Sequence, residues 1–410
     1  MRFWRVGGTT ALLIVCLAGL GFGADDMSSP DSSYETDMDE FVKEVDEEYP
    51  FFELKGIRSD WTDAKEELRQ RAKNCKSDQE FLLIMYDAVR TLRDGHMGAR
   101  KARVQLPTLP PRYYPGISFL PATNGRVVIM YAPEAHAGTL KTGVVVTKID
   151  GTDARQWLEK RTEAAWNEGG FFSSLQRARL FEYRQGLRGE QGEKHTISCL
   201  VDGREEQFEL MCDTVARGWP HTYNMPADSK RVGRSFYYTK LASDVGYMYL
   251  RRVDASVPAG IDEALAAHPS VPGWIVDLRG NGGGGYGRDL IERMEKFPRP
   301  AAVLIDAGCM SAGETLARDF RALADARVFG SKTAGCSSAK RTWTFPSGIA
   351  SLSFPTRSRW RGDRKPIEFN GIDPDVEVET VPEELLEGNN TAILRAEEYI
   401  VGKSRDIHDK

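Results

Sequence analysis

The sequence has no excess of positive charge. Its 55 Lys and Arg face 60 Asp and Glu, for a formal net charge of -5. Without a basic surplus there is no electrostatic footprint for nucleic acid. Long hydrophobic runs are missing too. The one sustained apolar stretch, Ala11 to Leu20, is well short of the roughly 20 residues that span a bilayer. No internal repeat is found, and low complexity is confined to a short acidic, serine-rich entry region. A strand-borne glycine loop near residue 280 lacks both the Walker lysine and the regular dinucleotide spacing, which argues against a phosphate cradle. What is present is ordinary for a globular protein: 41% hydrophobic and 28% charged residues in a chain of 410, long enough for two or three domains.

Arg2 and Arg5 precede the apolar stretch, and Gly21, Gly23 and Ala24 follow it. This order predicts a signal peptide over residues 1–24 and an exported protein, periplasmic or extracellular, with no stable membrane insertion after processing. An uncleaved anchor is the alternative. Export permits disulfides. The mature chain would keep Cys75, Cys199, Cys212, Cys309 and Cys336, an odd number, so at least one stays unpaired within the chain. Cys199 and Cys212 flank a hairpin expected to turn at Asp202-Gly203. A two-residue turn there sets Cys199 opposite Glu206, out of register with Cys212.

The fold class read from the pattern is multidomain α/β. Residues 25–110 form an N-terminal helical domain: Phe41, Val42 and Val45, then Leu68 and Ala72, then Phe81, Leu82, Met85, Val89 and Leu92 recur at helical spacing. Pro107, Pro110 and Pro111 mark a linker. Residues 111–215 are mostly strand, with a helical insert carrying Trp157 and Trp166. Residues 216–400 alternate strands and helices, the signature of a core with a largely parallel sheet, and end in a β segment over 341–354. Residues 401–410 read as a tail.

Two segments of that core could carry chemistry. Asp277-Leu278-Arg279-Gly280-Asn281 leads into the glycines 282–285, and Cys309-Met310-Ser311-Ala312-Gly313-Glu314 follows the next strand. Consecutive glycines allow backbone amides to approach a ligand closely or supply positive φ. Ser311 opens a helix, where a serine is most often an N-cap. The same place points free N–H groups and the helix dipole at a developing oxyanion. Of the six histidines, His96 lies just past a helix end between Gly95 and Met97-Gly98, where its ring can project from a turn. Glu368 stands in a turn-rich stretch and is weak alone.

Taken in order, these motifs resemble the carboxyl-terminal processing peptidase and tricorn-core family of serine proteases over nearly the whole chain. Tyr49-Pro50-Phe51-Phe52, Trp61 and Asp94-Gly95-His96 are similar to its helical segment. Pro115 to Phe119 is similar to the carboxylate-binding loop of its PDZ-type domain, and Ala137-Gly138 and Ile149-Asp150-Gly151 to the next strand-and-turn unit. Asp277 to Gly284, Ser311 to Glu314, Gly330 to Gly335 and Glu368 to Asp375 complete the order. One departure decides the branch. Where processing peptidases carry a lysine 25 residues after the serine, this chain has Cys336, so a Ser–Lys dyad is not carried over.

The resemblance implies a tricorn-like set: Ser311 as nucleophile, His96 as base, and Glu368 stabilising the histidine directly or through intervening groups. Ala312 with Gly282 or Gly283 would supply oxyanion amides, and Gly116, Ile117 and Phe119 would bind substrate. No metal or other cofactor is implied. The expected partner is a protein or peptide with a free C-terminus, and assembly into a homo-oligomer is compatible with the family. Cys309 and Cys336 would then be close enough for a disulfide bracing the active-site loops, against two buried thiols. The rival reading is a binding protein that keeps the fold without catalysis, taking a small hydrophobic ligand or a PDZ-type peptide.

Overall fold

The computed structural model describes residues 34–105, 112–136, 138–167, 172–215, 225–285, 287–356 and 365–408. The expected signal segment, the linker prolines and Ala137 lie outside them. The chain divides into two compact units, one of residues 1–111, 163–173 and 338–369, the other of 112–162, 174–337 and 370–410.

In the first unit the helical periodicity becomes the helices Tyr34–Glu48, Phe52–Lys55, Arg58–Lys73 and Asp78–Thr91. The fourth begins at Ser77, whose hydroxyl accepts the Glu80 N–H at 3.2 Å, while the Glu80 carboxylate accepts the Lys76 N–H at 2.8 Å. The residues predicted to face inward, from Phe41 to Leu92, are buried. Their partner is a three-stranded antiparallel sheet in the order Gly98–Ala102, Ala350–Pro355, Lys340–Thr344. Trp343, Phe345, Leu352 and Phe354 join Phe41, Trp61 and Phe81 in one core. The β segment expected to finish the α/β core is therefore a hairpin of this unit. Its apolar alternation specifies a half-buried strand without saying which sheet receives it.

In the second unit, six strands build an antiparallel layer, five in the order Ser118–Pro121, Val127–Tyr131, Val145–Ile149, Lys194–Val201, Arg204–Met211, with the short Thr152–Asp153 paired to Val145–Ile149. Cys199 stands opposite Glu206, the register expected from the turn. Phe119, Ile129, Val146, Ile197 and Leu210 pack beneath Leu158 and Tyr183 of the helical insert. Beside it runs a seven-stranded sheet: Lys230–Val232, Phe236–Lys240, Gly246–Leu250, Trp274–Asp277, Ala301–Ile305, Arg327–Gly330, Val376–Glu377. The first two strands are antiparallel and every pair from Gly246–Leu250 onward is parallel. Parallel strands are covered on both faces, which is why Ala301–Ile305 is buried at every position. One face packs Ile275, Ala302, Leu304 and Phe329 against Ala392, Ile393, Ala396 and Ile400. These four belong to the helix Thr391–His408, which runs on through the residues expected to be a tail. The helices Ser256–Ala267, Arg288–Glu295 and Ala312–Leu323 connect the parallel strands.

Candidate active site

Strand Ala301–Ile305 leads into a tight turn anchored by Asp306, whose Oδ1 accepts the N–H groups of Gly280 at 2.8 Å and Gly308 at 2.9 Å. Three residues on, Ser311 has φ 55° and ψ -124°. A non-glycine residue there carries strain of about 1–3 kcal/mol. An ordinary N-cap lies in the β region and needs no such conformation. The surroundings enforce it. The Ser311 N–H donates to Cys336 O at 3.0 Å and to the Glu314 carboxylate at 3.2 Å. Met310 N–H donates to Asn281 O at 2.9 Å, and Ala334 N–H to Cys309 O at 3.0 Å. Glu314, fully buried, also accepts the Thr333 hydroxyl at 2.6 Å and the N–H groups of Gly335 and Cys336 at 2.7 and 3.1 Å. One carboxylate thus binds the serine turn to the 333–336 loop.

The glycine loop lies against this turn. At Gly283, where φ is 76°, an added Cβ would sit 2.6 Å from Ser311 Cβ and 3.2 Å from its Oγ. Only glycine lets backbone pass this close to the hydroxyl. The loop is fastened by Asn281, a fully buried amide that donates to Leu250 O at 2.7 Å and accepts the Gly283 N–H at 2.9 Å. Gly282 N–H donates to Arg251 O at 3.2 Å. Both glycine amides expected in the oxyanion hole therefore have internal acceptors, because the Asn281 side chain and the Arg251 carbonyl reach them first. Ala312 N–H, in the first helical turn, has no acceptor assigned among the described residues and lies at the positive end of the helix dipole.

Cys309 and Cys336 are both buried thiols and are not joined to each other, so of the two alternatives the structure has the unbridged one. The backbone bonds through Cys309 O and Cys336 O brace these loops instead. Burial pushes the Cys309 thiol well above its ordinary range, with Glu314 and Asp306 adding to the effect, so it is no nucleophile.

His96 and Glu368 belong to the first unit. The turn that presents His96 is shaped by Asp94, whose Oδ1 accepts the N–H groups of His96 and Met97, both at 3.0 Å. The His96 ring is half-buried; its Nδ1 accepts the Ser338 N–H at 3.2 Å. The neutral ring so bonded carries its proton on Nε2. Desolvation, then the Lys340 ammonium, pushes its pKa down to about 3; Lys340 donates to His96 O at 3.3 Å. Glu368 is fully buried and ion-paired with Lys55 at 2.8 Å. Burial raises its pKa to about 7 against the opposing pull of Lys55.

Of the residues expected to bind substrate, Ile117 and Phe119 are buried in the core of the antiparallel layer. Their side chains face inward, so only backbone remains to meet a ligand there. Gly116 adopts φ 72° immediately before them. The strand Ser118–Pro121 is the edge of its sheet.

Residues 286–378, which hold the Ser311 turn and the strands around it, match the model of peptidase family S41. Residues 30–89, the helices of the first unit, match the tricorn protease C1 domain. Over these two stretches the chain is similar to S41-type peptidases. Mature CPAF is similar in structure, with a TM-score of 0.58 at 12% identity, covering 91% of this chain and 96% of that one. CPAF complexed with lactacystin aligns with a TM-score of 0.56 at 12% identity, covering 92% and 98%. At such identity the likeness is one of fold. No curated protein matches the sequence.

The structure also brings in residues that carried no clear signal in the sequence. Glu314 was visible only as a helix start, although Ser311-Ala312-Gly313-Glu314 is the spacing of a capping box. Asn281 sat unremarked inside the glycine motif. Lys55 had no signal at all, because nothing local distinguishes a lysine that will be buried beside a distant glutamate.

Proposed function

We propose that this peptidase is an exported endopeptidase acting through Ser311, His96 and Glu368 on peptides or on the C-terminal regions of proteins. Ser311 attacks the carbonyl carbon. His96 takes the hydroxyl proton and returns it to the leaving amine, and water then releases the acyl group by the reverse sequence. Ala312 N–H holds the oxyanion. Gly283 N–H joins it on exchanging Asn281 Oδ1 for the substrate oxygen, a donor worth about 3 kcal/mol. The edge strand after Gly116 adds a substrate strand through its backbone in the manner of a PDZ domain.

The observation that carries this reading is the strained φ of Ser311 beside a glycine whose missing Cβ clears its hydroxyl. A cap requires neither. The test is cleavage of casein by the wild type, Ser311→Ala, His96→Ala and Cys336→Ala. Cleavage should fall by about 1,000-fold or more in the first two variants and persist in the third. Equal activity in wild type and Ser311→Ala would end the proposal.

A further inference from the structure

Around Glu368 the first unit encloses charges, Lys55 and Asp94, to which the proposed mechanism gives no role. Lys55 ends the short helix Phe52–Lys55, and its ammonium is completely removed from solvent. It lies 2.8 Å from Glu368 Oε1 and 3.6 Å from Asp94 Oδ2. It donates to the Tyr49 hydroxyl at 3.0 Å and to Arg93 O at 2.8 Å. The rings of Tyr49 and Phe51 lie 5.7 and 5.5 Å from the nitrogen. A lysine is rarely buried so fully, and an ammonium without compensation would lose its proton. Two carboxylates and a phenol supply that compensation.

Each carboxylate reaches the same turn. Asp94 holds the His96 and Met97 amides directly and accepts the Tyr49 hydroxyl at 3.0 Å. Glu368 is hydrogen-bonded to the Ser173 side chain, and Ser173 Oγ accepts the Gly95 N–H at 3.1 Å. Both chains of contact end on the backbone of Gly95-His96, and both begin at Lys55.

We propose that Lys55 is a positioning residue of the peptidase: its buried ammonium is the shared counter-ion through which Asp94 and Glu368 hold the Gly95–His96 turn. This rests on the reading of His96 as the base. The charge count has a consequence of its own. Among the described residues Lys55 is the cation that both buried carboxylates share, and burial favours a proton on one of the two. Asp94 is the charged one. Burial works against it, but Lys55, His96 and the amides of the turn hold it below its ordinary range. Glu368, which burial raises to about 7, is the one that takes up a proton as pH falls below neutral. The groups facing Glu368 are Lys55, Asp94 and Tyr49, with His96 and Lys340 beyond Asp94.

The test is a double-substitution cycle in the full chain, read by thermal unfolding from pH 5 to 8 and by the kcat and KM of peptide cleavage. Lys55→Met should lower the unfolding temperature by roughly 5 °C or more, with a deficit that widens as pH rises and Glu368 ionises without the Lys55 ammonium beside it. Glu368→Gln in the same chain should recover most of the loss. Lys55→Arg keeps the charge and should lie between. In folded Lys55→Met, measured well below its unfolding temperature, kcat should drop about 10- to 100-fold with KM nearly unchanged. A deficit that is flat in pH and not recovered by Glu368→Gln would reduce Lys55 to packing and overturn the inference. An unchanged kcat in the folded variant would overturn it as well. If Lys55→Met does not fold, the Lys55→Met/Glu368→Gln chain still decides, because failure to rescue folding counts against the shared counter-ion. Absence of cleavage by the wild type with the stability cycle intact would fault the catalytic reading alone.

Discussion

His96 is held in the neutral state, and that state has two sides for a base. A neutral imidazole can accept a proton, but one with a pKa pushed to about 3 by desolvation and by Lys340 accepts it weakly. Its Nδ1 is also engaged by the Ser338 amide, so as the proposed base the ring would give up that bond and carry its proton on Nδ1 in order to accept at Nε2. Removing the Lys340 charge should therefore strengthen the base. In Lys340→Met the acid limb of kcat/KM is expected to move to higher pH, as read from a pH–rate profile on a peptide substrate. Stability follows the same sign. Because the folded pKa lies below the ordinary 6.5, His96 contributes stability above pH 6.5 that is lost as pH falls toward 3. The loss should be smaller in the variant. Glu368 runs the other way: raised from 4.5 to about 7, its contribution is complete below pH 4.5 and disappears as pH rises through 7, roughly 3 kcal/mol in all.

At the scale of elements, the serine turn and the glycine loop are one construction. Strands Trp274–Asp277 and Ala301–Ile305 are parallel neighbours, so the segments that leave their carboxyl ends emerge side by side. That is where ligands meet open α/β sheets. The contact between the segments is intolerant of a single methyl group. Gly283→Ala would place Cβ 2.6 Å from Ser311 Cβ at a φ of 76°, a backbone conformation that already costs an L residue about 1–2 kcal/mol. The expected outcome is a loss of cleavage of about 100-fold with only a modest change in unfolding temperature, whereas Gly285→Ala, where nothing lies within 4 Å, should change activity far less. Comparable activities for the two variants would place the glycine loop away from the chemistry. Much of this level was legible beforehand. The parallel strands, the helix after Ser311 and the hairpin with Cys199 opposite Glu206 follow from apolar runs, a cap residue and a two-residue turn, all of them local rules. The engagement of Gly282 and Gly283 amides was not legible, since their acceptors are Arg251 O and a side-chain rotamer of Asn281.

At the scale of the whole molecule, the thiols set a test. Cys75, Cys199, Cys212, Cys309 and Cys336 are all buried, and none is in a disulfide. Burial pushes Cys199 up to about 12 and, with Glu193 adding to it, Cys212 up to about 11, so neither supplies thiolate at neutral pH. The chain processed after Ala24 is therefore expected to titrate five thiols when unfolded without reductant, and close to none at neutral pH while folded. A count of three would mean that one pair had oxidised, and a linked peptide carrying both Cys309 and Cys336 would make the bracing of those loops covalent.

The sequence by itself determined which segments become helices and parallel strands, and which serine stands at a helix start beside a glycine loop, because periodicity, capping and turn chemistry act over a few residues. It also left no lysine at the dyad position, since residue 336 is a cysteine. Tertiary structure alone decided that the hairpin Lys340–Thr344 and Ala350–Pro355 joins Gly98–Ala102, and that Glu368 pairs with Lys55, 313 residues earlier in the chain. Pairings at such separation come from packing and from the cost of leaving a charge uncompensated away from water, and neither leaves a local pattern to read.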